Sequence, residues 1–264
     1  MALNKKSFLH KDSVAGTLVF TLVLCLSCSF MITGTAEVLK DRKLAKQRDE
    51  VKRDVLLAAN IEFGQGSDFR DVFEARVTPV LVALATGEVT QPDDVLDFDE
   101  RMAAINPDTS MKPSKDIAKI RSRANQVRVY KIHYVQGATS ALVVPFYGKG
   151  LWSMIYGYVG LAPDLNTIEN IVFYEHGETP GIGDFINDPE WLRQWHGKQL
   201  FDDKGKFALK VIKGGAKAGD LHGIDGVSGA TMTGRGVQKS LEFWFGAEGY
   251  QTLFNTLAAE VQSE

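Results

Sequence analysis

Between Asp12 and Glu37 the chain carries no charged residue, and the run SVAGTLVFTLVLCLSCSFMITGTA is apolar almost throughout. That run constrains the fold most. Crossing the hydrocarbon layer takes roughly 20 residues, and an isolated segment can do so only as a helix whose backbone groups satisfy one another. It predicts a single transmembrane helix over 13–36, preceded by an N-terminal tail of residues 1–12. A secretory signal peptide is the rival, with Lys5 and Lys6 as its basic start and TGTA as a small-residue cleavage region. The apolar stretch exceeds a signal core of about 7–15 residues, which favours an uncleaved anchor. Charge does not orient it, because Lys5, Lys6 and Lys11 precede the span while Lys40, Arg42, Lys43, Lys46 and Arg48 follow it.

Both cysteines, Cys25 and Cys28, fall inside this span. Their C-x-x-C spacing invites a redox or metal reading, but every neighbour is apolar or hydroxylic, so they are expected to be buried packing residues. The remainder of the chain therefore has no disulfide and no thiolate metal site. With 264 residues, 44% of them hydrophobic, and a net charge of -3, the rest is long enough for a sizeable core and lacks the clustered bases that nucleic acid requires.

From Glu37 to about Asn60 the sequence is charged and free of Pro and Gly, with Val38, Ala45, Val51, Val55 and Ala59 loosely at helical intervals. It predicts a helical stalk over 37–60, leaving 61–264 as the domain beyond the membrane. The next stretch is rich in turn signals, GQGSD, TGEVTQPDD and NPDTSMKPS, with a short apolar run from Val77 to Ala85. It reads as loops with short strands or helices.

The centre differs. VRVYKIHYV, SALVVPFYG, LWSMIYGYVGL and IENIVFYEHG are β-branched and aromatic runs separated by Gly, Pro and Asn, which predict successive strands of a largely antiparallel sheet. Asp188, Pro189 and Glu190 form an N-cap, a first-turn proline and a first-turn acid ahead of Trp191, Leu192 and Trp195. FALKVIKGG supplies another strand. Val237, Leu241, Trp244 and Phe245 then mark a helix beginning soon after Thr233, interrupted at Gly246 and Gly249 before Tyr250, Leu253, Phe254 and Leu257 resume the apolar face. The class is α+β.

Between that last strand and helix lies DGVSGATMTG, residues 225 to 234. A glycine-rich turn feeding a helix start leaves backbone N–H groups directed outward at the positive end of the helix dipole, which suits an anion. Ser228, Thr231 and Thr233 would add hydroxyls, while Gly226 and Gly229 permit positive φ or close approach. Neither nucleotide-loop spacing is present. Two other readings stay open: an ordinary turn capped by Ser or Thr, and a nucleophilic Ser228 in GVSGA with His133, His176, His196 or His222 as its base.

The motif D-x-x-S-G-A-T, present as Asp225, Ser228, Gly229, Ala230 and Thr231, resembles the site at which flavin transferases join FMN through its phosphate to a threonine. YGKGLWS at 147–153, HGETPGIG at 176–183 and PEWLRQWHGK at 189–198 are similar to the single-span flavoprotein subunit of the bacterial sodium-translocating NADH:quinone reductase, a family of covalent FMN-binding proteins. With the single span and the chain length, the resemblance covers nearly the whole sequence. The related ion-translocating electron-transport complex has a similar flavoprotein subunit, which is the alternative; the accompanying blocks favour the sodium pump.

The resemblance implies a single-pass inner-membrane protein with a periplasmic flavin domain, and FMN held by a phosphoester to Thr231, with Thr233 as the fallback acceptor. An FMN transferase would attach it and recognise Asp225, whose other reading is a turn-forming residue. The FMN-binding region is expected over about 127–245. Ser228, Gly229, Ala230 and Thr233 would surround the phosphate. Glu178 and Thr179 would contact polar atoms of the ring, Gly181 and Gly183 would allow its approach, Ile182 would pack on it, and Trp152, with Tyr147 and Lys149, would flank it. Other membrane subunits of the complex are the implied partners, and nucleic acid is not one. The implied role is electron relay between redox centres with no substrate turnover of its own. No metal site is expected, since the lone span has no acid and one helix cannot surround an ion. An anchoring protein with an empty turn and a membrane-tethered hydrolase using Ser228 are the competing classes.

Overall fold

A computed structural model describes residues 14–63, 68–133 and 139–263. The expected tail, its lysines, and parts of GQGSD and VRVYKIHYV lie outside the described residues. The chain divides into two units, one up to Asp49 and one from Glu50 onward.

Within the first unit the described residues form the leading part of helix α1, Val14–Ala58, which is long and apolar enough to cross a membrane. Leu18, Phe20, Leu22, Phe30 and Ile32 point outward around it, as on a helix whose solvent is hydrocarbon. The hydroxyls of Ser27 and Thr35 donate back to the Val23 and Met31 carbonyls at 2.8 Å, which removes their need for water. Cys25 and Cys28 are free and lie on the outer surface of this helix rather than in a protein core, a correction to the sequence expectation. The reason is the outward apolar face: the span carries no protein layer of its own to bury them. Helical structure runs without a break from the apolar segment through the charged one.

The second unit begins with the last turns of α1. Helix α2 (Phe69–Arg76) and strands β1 (Val77–Ala83) and β2 (Val89–Thr90) follow, then helix α3 (Glu100–Ile105) and the short strands β3 (Ser110–Met111) and β4 (Arg123–Ala124). The long strands are β5 (Gln126–His133), β6 (Thr139–Lys149), β7 (Met154–Leu161) and β8 (Ile168–Glu175). Helix α4 (Pro189–Arg193), strands β9 (Lys210–Lys213) and β10 (Gly223–Gly226), and helices α5 (Thr231–Trp244) and α6 (Gln251–Ser263) complete the chain.

Six strands make one sheet in the order β2-β1-β5-β6-β7-β8, with every neighbouring pair antiparallel. The short apolar run from Val77, in the region read as loops with short strands or helices, is β1, paired along its whole length with β5. Its partner is remote in sequence, so the pairing is not readable from local signals. β9 and β10 form a separate parallel pair, an exception to the antiparallel rule.

Alternation along β6 fills both faces of the sheet. Leu142, Val144 and Phe146 join Val237, Leu241, Trp244, Leu253, Trp191 and Trp195 in the larger core under α4, α5 and α6. Ala141 and Val143 face the other way, with Tyr130 and Tyr158, onto Val55, Leu56, Ala58 and Phe73. The end of α1 is thus part of a core rather than a solvated stalk. Gly160 permits this contact, because a Cβ there would collide with the Ala58 carbonyl.

Candidate functional site at the start of α5

β10 carries Asp225 and Gly226 to a turn closed by Ala230 N donating to Val227 O at 3.2 Å, with Gly229 at φ +84°. A positive φ of that size favours glycine. The helix then starts at Thr231, earlier than the sequence expectation, because the Ala230 carbonyl already accepts from Gly234 N at 3.2 Å. The two threonines and Met232 between them make up its first turn.

Capping separates this helix from its neighbours. Asp68, Asp99 and Asp188 each cap a helix with a side-chain oxygen, whereas α5 begins on Ala230 with no side-chain cap. The ordinary capped turn is therefore not what is built. The first amides of a 14-residue helix are left without a side-chain acceptor, at the positive end of its dipole.

The two threonines have different environments. Thr233 is buried, and its hydroxyl donates to Glu178 Oε2 at 2.5 Å. Thr231 is half-buried, and its hydroxyl has no partner among the described residues. Ser228 and Gly229 are exposed, and Ala230 is buried.

Glu178 joins three segments. Its Oε2 also accepts from Leu151 N at 3.2 Å, and its Oε1 accepts from Trp152 N at 3.0 Å and Ser153 N at 3.4 Å. Burial pushes this carboxyl upward, but the Thr233 hydroxyl and the three amides outweigh it and hold the group below the usual glutamate range. The carboxylate expected to face the ring's polar atoms is thus occupied by donors of the protein. Space is tight here: an added Cβ at Gly183 would lie 2.9 Å from Glu178 Cβ and 3.2 Å from Thr233 Oγ1. The Thr179 carbonyl accepts from the amides of Ile182 and Gly183 at 3.1 and 2.8 Å, with Gly181 at φ +75° turning the chain between them. The Thr179 side chain is exposed.

His176 contacts Glu178 N and the Asn187 amide, at 3.3 and 2.8 Å. Asp225 Oδ1 accepts from Ala216 N at 2.6 Å, while its backbone carbonyl takes the Trp191 indole N–H at 2.8 Å. The side chain of Asp225 thus ties β10 to the loop at Ala216 rather than closing an Asx turn of its own. His133, His176, His196 and His222 are bonded to Thr78, Asn187, Glu169 and Gln199, and none to Ser228. Ser228 therefore has no base among the described residues.

Large apolar side chains stand exposed on the segments that Glu178 ties together: Trp152 at 66%, Met232 at 55%, Ile182 at 54% and Leu151 at 42%. The sequence points to Trp152 and Ile182. It does not single out Leu151 and Met232, although each is a lone apolar residue in polar, glycine-rich or hydroxylic surroundings. Uncapped amides suit an anion, and exposed apolar side chains on neighbouring segments suit a flat ring.

The fold and this site define a membrane-anchored flavoprotein domain, and the profile of the FMN-binding domain family matches residues 150–246. That match begins after β5 and β6. Among solved structures, Shewanella oneidensis NqrC is 65% identical with a TM-score of 0.79, covering 81% of this chain and 99% of that one. The corresponding protein of the Na(+)-translocating NADH-quinone reductase from Parabacteroides distasonis gives 26% identity, a TM-score of 0.63, and coverage of 82% and 96%. The same component of the Na(+)-translocating NADH-quinone reductase of Yersinia pestis is 39% identical over 245 residues, covering 91% of this chain and 92% of that protein. Its counterpart from Neisseria meningitidis serogroup A is 41% identical, covering 94% and 95%. The chain belongs to the NqrC family of Na(+)-translocating NADH-quinone reductase subunits.

Proposed function

We propose that this chain carries FMN as a phosphoester on the Thr231 hydroxyl and relays electrons within a sodium-translocating NADH:quinone reductase. The observation that carries the choice of residue is the contrast between two hydroxyls on one helical turn. Thr233 is buried and bonded to Glu178, while Thr231 is half-buried and unpartnered at an uncapped helix start.

The flavin supplies the electron-carrying chemistry when bound. The chain's own residues hold and shield it. The uncapped amides at the start of α5 would offer donors to the phosphate of an ester on Thr231, and the helix dipole would favour its negative charge. Trp152, Leu151, Ile182 and Met232 offer apolar surface to the ring, and Glu178 fixes the loop that bears Trp152.

A threonine hydroxyl is a poor nucleophile unaided, so a separate FMN transferase is the agent of attachment, with Asp225 as the residue it recognises. Residues 13–36 would cross the bacterial inner membrane, 37–60 would rise from it, and the flavin domain would be periplasmic, the side on which the transferase works. Its partners would be the other membrane subunits of the complex.

Protein from native membranes, run on a denaturing gel under ultraviolet light, tests this. A fluorescent band is expected, lost in Thr231→Ala and retained in Thr233→Ala. An unmodified mass for the peptide spanning 225 to 235 would overturn the reading.

A further inference from the structure

Exposed cations lie on α5 and on the segment that packs against it. Lys112, Lys115, Lys119 and Arg121 are exposed in the segment between β3 and β4, and Arg235 and Lys239 are exposed one helical turn apart on α5. Among the described residues none of these has a carboxylate within 4.0 Å, unlike Arg101, which pairs with Glu175, or Lys52, which pairs with Glu74.

Packing brings the two sets together. Ser114 N donates to Glu248 Oε1 at 3.0 Å just past the C-terminal end of α5. Farther along the segment, the Ala118 carbonyl accepts from Lys149 N at 2.8 Å, and a Cβ at Gly148 would meet both Ala118 and Ser240. Gly236 in turn sits on the Lys149 carbonyl, at 2.6 Å from an ideal Cβ. The segment therefore advances along α5 from its C-terminal end toward the start of the helix. Lys149 Nζ donates to the Trp152 carbonyl at 2.7 Å, and Arg235 stands one helical turn from Met232, so these two cations border the apolar rim.

Acids offset this charge only in part: Asp116, which accepts from the Ile120 and Arg121 amides at 2.9 and 2.8 Å, Glu248, which is bound to Ser114, and the exposed Glu242 are three carboxylates against six cations. The surface thus runs against the net charge of -3 for the whole chain. A patch with an excess of one sign speeds encounter with the opposite sign and penalises wrong orientations.

We infer that this face docks an acidic surface of an electron-transfer partner protein against the edge of the flavin site, an inference that rests on FMN standing at Thr231. Anionic lipid is attracted by the same charge. A protein is favoured because Lys149 and Arg235 border the rim across which electrons enter or leave, and a redox centre must come close there.

The test uses the assembled complex, after the fluorescent band on this chain has been measured. Absence of the band would remove the flavin reading without bearing on the cations. Zero-length carbodiimide coupling should join Lys119 and Lys239 to Asp or Glu of a neighbouring protein of the complex, with yield falling as salt screens the contact. The pair Arg235→Glu with Lys239→Glu should keep the band and slow reduction of this flavin by about tenfold at low salt, converging with wild type at high salt. Lys119→Glu, outside the helix, provides a second variant should the pair lose the band. Cross-links to a neighbour absent from both lysines, or wild-type reduction rates in loaded variants, would overturn the inference. So would an effect confined to anionic nanodiscs and absent in phosphatidylcholine.

Discussion

Thr233 donates its hydroxyl to Glu178 Oε2 across 2.5 Å, joining the first turn of α5 to the loop after β8. Through the same carboxylate the loop that bears Trp152 is tied in as well. One ionised side chain thus sets the spacing of the elements on which a cofactor would rest, and four donors depend on it.

Removing that carboxylate is expected to loosen the site before it unfolds the domain. Glu178→Ala leaves the Leu151, Trp152 and Ser153 amides and the Thr233 hydroxyl without their acceptor, a loss of about 3 kcal/mol. Glu178→Gln, with one acceptor oxygen, should lose about half as much. Thermal melting at neutral pH measures both. The folded carboxyl titrates below its ordinary value of 4.5, so its contribution is complete above that value and disappears as pH falls through the lower, folded one. Wild type and Glu178→Gln should therefore converge in acid.

Thr233→Val keeps the shape of the side chain and deletes its donor. The expected cost is about 1 kcal/mol in melting experiments, with the covalent flavin retained. Loss of the fluorescent band in this variant, with retention in Thr231→Val, would move the acceptor to position 233.

At Gly160 the prediction concerns packing. An added methyl group would run into the Ala58 carbonyl, which is backbone and cannot rotate away. Gly160→Ala should destabilise the domain by about 2 kcal/mol, and Gly160→Val by more. Urea unfolding followed by tryptophan fluorescence reads this directly.

Asp54, near the end of α1 and outside the apolar span, is pushed up to about 6 by burial first and by Glu50 second, with Arg53 opposing. The folded chain holds this proton more tightly than the unfolded one. Stability should therefore decline as pH rises from 3.8 through about 6 and remain lower beyond. Partial exposure reduces the effect to on the order of 1 kcal/mol. Asp54→Asn should melt higher than wild type at pH near 8, and the advantage should shrink toward pH near 4, as followed by thermal shift.

Much of this fold is readable in the residues, for physical reasons specific to each element. β6 and β7 are β-branched and aromatic runs bounded by glycine, and their pairing needs only a short connection, so composition and proximity agree. Asp188-Pro189-Glu190 is legible because cap, proline and acid act within one turn; in the structure Asp188 Oδ1 accepts from Glu190 N and Trp191 N. The pairing of β1 was obscured because its partner β5 lies across a long, turn-rich interval. The start of α5 was obscured because threonines are poor helix formers and read as turn.

Glu178 is the clearest limit. A glutamate amid glycines and a proline reads as solvated or ligand-facing, and nothing local says that a threonine 55 residues onward will claim it. By contrast, the hydroxyl cluster at 228–233 was visible as a site, because its composition serves no core. Which hydroxyl is free required three dimensions.

Thr231 is β-branched and sits in the first turn of a helix whose far end is anchored by Trp244 and Tyr250 in the core. Its χ1 has few allowed settings. A cofactor bonded to Oγ1 would be tethered at a fixed point of the domain, as a lamp is hung from its bracket. The ribityl chain of FMN keeps its own rotations, so the tether would set the reach of the ring and leave its direction to the side chains around it.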